Sequence, residues 1–218
     1  MLIGFCGYKN SGKNTVSEIL VSQYKYTPLA FADPVKDCIS SIFGWNRDLL
    51  EGKTNESRQW REIIDEYWSN ILGKSITPRN AMTEFGTDIM RNKFNSDIWL
   101  HNMKMRIDKL SSSNIIITDV RFPNEIDFIK KMNGKVFRVS RGQEPEWYGD
   151  ALVVNMYDNA SNPHVSSAIM QTIDNSRKVM YDSNVHYSEW AWIGQKFDGV
   201  IMNNRSIKDL EDEIKLKV

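Results

Sequence analysis

The chain has 218 residues, one to one and a half domains at roughly 150 residues each, so it can bury a sizeable core. Apolar residues make up 41% and charged residues 26%, which excludes a disordered chain; 28 basic side chains balance 28 acidic ones, so no net field marks a nucleic-acid or membrane binder. Two cysteines, Cys6 and Cys38, cannot build a disulfide framework, no apolar stretch approaches the ~20 residues of a membrane span, and the opening residues are too short an apolar run for a signal peptide. The expected compartment is therefore reducing and cytoplasmic, with Cys6 a buried thiol.

The first six residues form an apolar run suited to a buried parallel strand. A glycine-containing loop follows. Val16, Ile19, Leu20 and Tyr24 then recur at helical spacing. Residues 27–32 read as a second strand, ended by Asp33-Pro34, and residues 35–43 as a helix. The charged, aromatic stretch 46–70 reads as helical. Pro78 suits the first turn of another helix, with Ala81, Met82, Phe85 and Ile89 on one face. A further helix is expected over 96–110 and a polar loop over 111–114.

Ile115 to Thr118 reads as a central strand ending at Asp119. Pro123 opens a helix that stops at Asn133-Gly134, a left-handed cap. Residues 135–140 form another strand. Residues 142–164 are rich in Gly, Pro, Asn and Asp without a clean period and read as an irregular insertion. Residues 199–202 are the last strand. Ser206 and Asp209 make a capping box, with Ile207, Leu210 and Ile214 on one face of the final helix. Strands alternating with helices predict a single α/β domain over 1–218, a three-layer parallel sheet with helices on both faces. The helical stretch 33–110 is expected to form an acceptor-binding lobe and 142–185 a lid-like insertion.

The central signal is Gly7-Tyr8-Lys9-Asn10-Ser11-Gly12-Lys13, a G-x-x-x-x-G-K loop between the first strand and the first helix. Glycines let the backbone N–H groups face phosphates, and the helix N-terminus adds a positive dipole end. Gly7, Lys9, Asn10, Ser11, Gly12, Lys13, Asn14 and Thr15 are the candidate ATP-binding residues, with Lys13 on the β- and γ-phosphates. An ordinary glycine-rich turn is the plainer alternative. Asn14 stands where a Ser or Thr usually ligates Mg²⁺. Either Thr15 helps, or phosphates, water and a carboxylate such as Asp119 hold the ion.

Asp119 ends a strand at the sheet edge where ligands of open α/β sheets sit; helix capping is its other reading. Arg121 could clamp an acceptor phosphate in bidentate fashion, and Glu125 could either pair with Arg121 or touch substrate. Asp33 and Lys36 follow the second strand, where Lys36 suits an acceptor phosphate. Arg79, Arg91 and Arg141 could surround the transferring group, since phosphoryl transfer is positioning plus charge stabilisation. Trp99, Trp147, Trp190 and Trp192 could stack a base, although tryptophans more often fill cores. His186 and Glu189 lie in His186-Tyr187-Ser188-Glu189. Three histidines offer no convincing triad or metal spacing, which disfavours a hydrolase or zinc enzyme.

Taken together, these blocks resemble the deoxynucleoside monophosphate kinases of tailed bacteriophages. GYKNSGKNT resembles that family's loop, with Asn14 where Asp is common. FADPVKD (31–37) resembles its acceptor segment, and residues 77–100 its P-R-x-x-(M/L)-Q-x-x-G-T-D…W stretch, with Thr83 in place of Gln. ITDVRFPNE (117–125) and HYSE (186–189) resemble two further blocks in the same order. The resemblance implies an adenylate-kinase-like fold with ATP and Mg²⁺ as cosubstrate and metal. It implies conversion of dNMP to dNDP in supply of DNA synthesis, in the host cytoplasm if phage-encoded. Lys13 would serve the donor phosphates, and Lys36, Arg79, Asp119, Arg121 and Arg141 would surround the acceptor and transferring group. Small nucleotides are the expected partners, without nucleic acid or membrane, and a homodimer is left open. Two alternatives keep the loop: a kinase for another small metabolite such as dephospho-coenzyme A, and a non-catalytic ATP-binding regulator.

Overall fold

Short runs of Ile, Val and Phe build one parallel sheet. In the computed structural model, which describes residues 1–111, 114–158 and 166–218, the strands are β1 (Leu2–Cys6), β2 (Thr27–Leu29), β3 (Ile115–Val120), β4 (Lys135–Ser140) and β5 (Gly199–Met202). Their order is β2-β3-β1-β4-β5, and every pairing is parallel. All carboxyl ends therefore share one edge. Ile3 lies opposite Ile116 on β3 and Lys135 on β4. β1 is buried along its whole length, as a central strand between two helical layers must be.

Alternation along β1 sets those layers. Ile3 and Phe5 share one face with Phe137 and Val139, and pack with Val16 and Leu20 of α1 (Lys13–Tyr24) and Leu210 and Ile214 of α11 (Ile207–Lys217). Gly4 points to the other face, where a Cβ would lie 2.5 Å from Ile129 of α8 (Pro123–Lys131). Each fully buried aliphatic or aromatic side chain contributes roughly 1.5–3 kcal/mol. Ser206 and Asp209 form the expected capping box of α11, while Ile207 is exposed. The left-handed residue after α8 is Asn133, at φ 56°.

The chain divides into two compact units, Met1–Leu29 with Ser112–Val218, and Ala30–Ser111. The second is helical: α2 (Asp33–Phe43), α3 (Arg47–Glu51), α4 (Asn55–Trp60), α5 (Glu66–Leu72), α6 (Pro78–Thr83), a π-helix (Glu84–Phe94) and α7 (Ile98–Asp108). The stretch 46–70 is thus three short helices. Asn46, Thr54 and Asp65 each cap a new N-terminus with a side-chain oxygen. Phe43 stacks on Trp45 at 4.3 Å, and Trp45 donates to Asp65 at 2.6 Å.

The face expected on Ala81, Met82, Phe85 and Ile89 is also corrected. Ile89 is exposed, and the buried positions are Ala81, Gly86 and Arg91. Gly86 and Arg91 lie five apart within the π-helix, whose i→i+5 winding puts more residues in each turn than an α-helix. A second correction concerns 142–164. It contains α9 (Tyr148–Asp158), which packs against α10 (Ser167–Asp182). Ala151, Val154 and Asn155 supply the buried face of α9, and Ser176 of α10 donates to Asp150 at 2.7 Å. Flanking Gly and Pro hid this helix from a composition-based reading. Residues 159–164 of the same stretch lie outside the described residues.

Candidate functional site

The phosphate loop runs from the carboxyl end of central β1 into α1. β3 and β4 flank it, and α1 and α8 cover opposite faces, so it stands where the connections of the sheet diverge. Both glycines are required. Gly7 has φ +138°, and a Cβ would lie 2.3 Å from the Val139 carbonyl oxygen; Gly12 has φ +100°, and a Cβ would lie 2.0 Å from Asn203 Nδ2. Asn10 also takes the left-handed conformation at φ 66°. Among the described residues no side chain caps α1, and no acidic residue sits in its first turn, which leaves its positive end available to an anion. Ser11 Oγ is buried without a hydrogen-bond partner among the described residues. These features fit a polyphosphate.

Lys13 folds back on its own loop. Its Nζ donates to the carbonyls of Gly7 and Tyr8, both at 2.7 Å. Burial pushes its pKa down to about 8, and the positive charge of Arg121 adds to this; Cys6, Glu189 and Asp119 act the other way. Burial likewise pushes the Cys6 thiol up to about 12. Lys9, Asn10 and Asn14 are exposed around the loop, and Thr15 is half-buried at the start of α1.

Asp119 is the penultimate residue of β3 and Arg121 follows the strand. Arg121 pairs with Glu189. Burial works to lower the Arg121 pKa, but the Glu189 carboxylate, Asp119 and Glu125 raise it above its ordinary value. Glu125 is a capping residue: it accepts from the Arg121 and Phe122 backbone N–H groups at 2.7 and 3.1 Å. His186 caps the short turn Tyr187–Glu189, with Nδ1 2.9 Å from Ser188 Oγ and 3.2 Å from Ser188 N. Among the described residues no group of three His, Cys, Asp or Glu side chains could hold a metal. Asp119 and the Thr15 hydroxyl are the groups that would suit a Mg²⁺ carried by phosphates and water.

In the helical unit the proposed acceptor residues are engaged internally. Lys36 pairs with Glu51 at 2.9 Å and Asp33 at 3.5 Å, and Asp33 accepts from Arg106 at 2.7 Å. Arg79 pairs with Glu62 at 3.1 Å. Arg91 is buried and donates to the Ser96 carbonyl. Trp99, put forward for base stacking, is instead a core residue whose indole N–H donates to the Gly86 carbonyl at 2.8 Å.

Arg141 is exposed just beyond β4. The more embedded arginine is Arg138, which sequence reasoning missed. It lies opposite Cys6 in the sheet, 4.9 Å from the Trp192 ring centroid and 5.9 Å from that of Tyr8, and pairs with Glu144. Tyr8 in turn meets Trp192 and Trp147 edge-on at 4.9 and 5.8 Å. A charged residue inside the apolar run 135–140 was the available signal. Trp190 donates to the Val185 carbonyl at 3.2 Å.

A family model for deoxynucleotide monophosphate kinases matches residues 46–151. That stretch begins after the phosphate loop, so the two observations rest on different residues. A mimivirus protein (Acanthamoeba polyphaga mimivirus) named as a deoxynucleotide monophosphate kinase is 29% identical, over 65% of this chain and 74% of its own. The deoxynucleoside-5′-monophosphate kinase of Escherichia phage T5 is 25% identical, over 61% and 73%. The crystal structure of TT1252 from Thermus thermophilus aligns over 99% of this chain and 95% of its own at 16% identity and a TM-score of 0.44, too loose a likeness to argue from. A phosphate loop on the central strand and this family match in the residues beyond it make the chain similar to deoxynucleotide monophosphate kinases in two separate stretches.

Proposed function

We propose that the protein transfers the terminal phosphoryl group of ATP to deoxynucleoside 5′-monophosphates, forming ADP and the deoxynucleoside diphosphate. The observation that carries the chemistry is Lys13 held on the carbonyls of its own loop, beside Arg121 and Asp119. Similarity to deoxynucleotide monophosphate kinases supports the acceptor class. ATP phosphates would take the backbone N–H groups of the loop and the first turn of α1. Lys13 would exchange its two carbonyls for the β- and γ-phosphates, whose charge favours its protonated form. Mg²⁺ held by phosphate oxygens, water, Asp119 and Thr15 would neutralise phosphate charge. An acceptor phosphate oxygen forms the new bond to the γ-phosphorus as the bond to the β-bridging oxygen breaks, and ADP leaves with that electron pair. The acceptor oxygen is already anionic, so no general base is needed. Arg121, kept charged by Glu189, and Arg141 are the acceptor-phosphate candidates, since Lys36, Asp33 and Arg79 are committed to ion pairs.

The test is a coupled ADP-release assay with ATP, Mg²⁺ and each dNMP and NMP in turn. Turnover confined to one or a few deoxynucleotides is expected, and it also reads out the base preference. ATP binding without acceptor-dependent ADP for any nucleotide overturns the reading and favours another acceptor or a regulator.

A further inference from the structure

Among the described residues, the Asn203 side chain is built against the phosphate loop from a distant part of the chain. Asn203 follows β5, and its Nδ2 donates to the Ser11 carbonyl at 3.0 Å across 192 residues of sequence. We infer that Asn203 is a positioning residue for the phosphate loop: its carboxamide holds the Ser11 carbonyl and so aims the Gly12 N–H that meets nucleotide phosphate. The inference rests on the reading that ATP occupies this loop.

A trans peptide unit is planar, with its C=O and N–H pointing in opposite directions. The described residues hold no cis peptide bond, so fixing the Ser11 oxygen on Asn203 turns the Gly12 N–H away from Asn203. The absence of a side chain at Gly12 is what admits Asn203. A Cβ there would fall 2.0 Å from Nδ2 and 3.1 Å from the carboxamide carbon. Gly12 is therefore required for two independent reasons, its left-handed backbone and this close approach. Asn203 is itself held in place: its backbone N–H donates to the Ser140 carbonyl at 2.8 Å, and Asn204 Oδ1 accepts from the Gly142 N–H at 2.7 Å. The turn after β5 is thus tied to the exit of β4 while its side chain reaches the loop. A contact that served stability alone would not need to end on the carbonyl that precedes the first helical N–H groups.

The experiment compares the wild-type chain with Asn203→Ala and the isosteric Asn203→Asp. ATP affinity is measured by calorimetry without acceptor, together with the KM for ATP, the KM for the acceptor, and the melting temperature. Asn203→Ala should weaken ATP binding by roughly three- to tenfold, the range of one hydrogen bond. Asn203→Asp should weaken it further, because a carboxylate would face the Ser11 carbonyl oxygen. The acceptor KM should stay within about twofold and melting should shift little. Wild-type ATP affinity in either folded variant overturns the inference, as does an equal rise in both KM values. Should Asn203→Ala melt early, Asn203→Asp decides alone. Absence of ATP binding by the wild-type chain overturns the functional reading itself, a result distinct from failure of the variants to differ.

Discussion

The sheet-bearing unit and the helical unit both carry many charges and use them in opposite ways. In the helical unit Asp33, Lys36, Asp37, Arg47, Glu51 and Arg106 neutralise one another in one network, and Arg79 is matched by Glu62. In the sheet-bearing unit Lys13 is half-buried against backbone carbonyls with a lowered pKa, and Arg121 is raised by Glu189, Asp119 and Glu125. A paired network orders short helices that could not hold their shape by propensity alone. A cation left against neutral carbonyls is instead held ready for an incoming anion. The same residue types, Lys and Arg, are thus paired off in the helical unit, whereas Lys13 is held on carbonyls, as the proposed function needs.

The largest expected effect is at Lys13. Lys13→Ala should lower turnover by about a hundredfold or more while melting changes little; near-normal turnover in a steady-state assay would dissolve the contrast between the units. Glu51→Gln probes the other side. It leaves Lys36 and Arg47 without their shared carboxylate and should cost about 1–2 kcal/mol, discounted for partial exposure, with a melting point several degrees lower. Glu51 titrates below the ordinary carboxylate range: burial works to raise it, but hydrogen bonds from Lys36 and Arg47 lower it. Its contribution is therefore present above the unfolded-state pKa and lost as pH falls through the folded one. Thermal melts against pH should show this loss in the wild type and less of it in Glu51→Gln, and ATP affinity should be unaffected.

A third effect sharpens the comparison through pH. Phosphates bind protonated Lys13, whose pKa without ligand is about 8. ATP affinity should be flat below pH 8 and weaken by up to about tenfold per unit above it. Lys13→Arg should remove that slope, because a guanidinium stays charged. Folding stability runs the other way: with the pKa lowered from 10.5, it rises as pH climbs from about 8 toward 10.5. The smallest effect concerns the thiols. Cys38 is exposed, while Cys6 is buried with its pKa pushed up to about 12. A thiol reagent should titrate one equivalent in the native protein and two after denaturation.

By itself the sequence determined what depends on neighbours along the chain. The apolar runs at 115–118, 135–140 and 199–202 became strands, the G-x-x-x-x-G-K spacing became a left-handed loop opening a helix, and Ser206 with Asp209 became a cap. Burial period and backbone conformation are local properties, so short segments reveal them. Composition misled where helix and breakers adjoin: α9 is flanked by Gly and Pro, and the π-helix carries its buried face at a spacing of five. Only the tertiary structure decided which charges meet. Arg121 finds Glu189 across 68 residues, Lys36 finds Glu51, and Asn203 reaches Ser11 across 192. Those pairings depend on strand order and on how each unit closes on itself, and side chains far apart in sequence carry no local mark of the partner that the fold brings beside them.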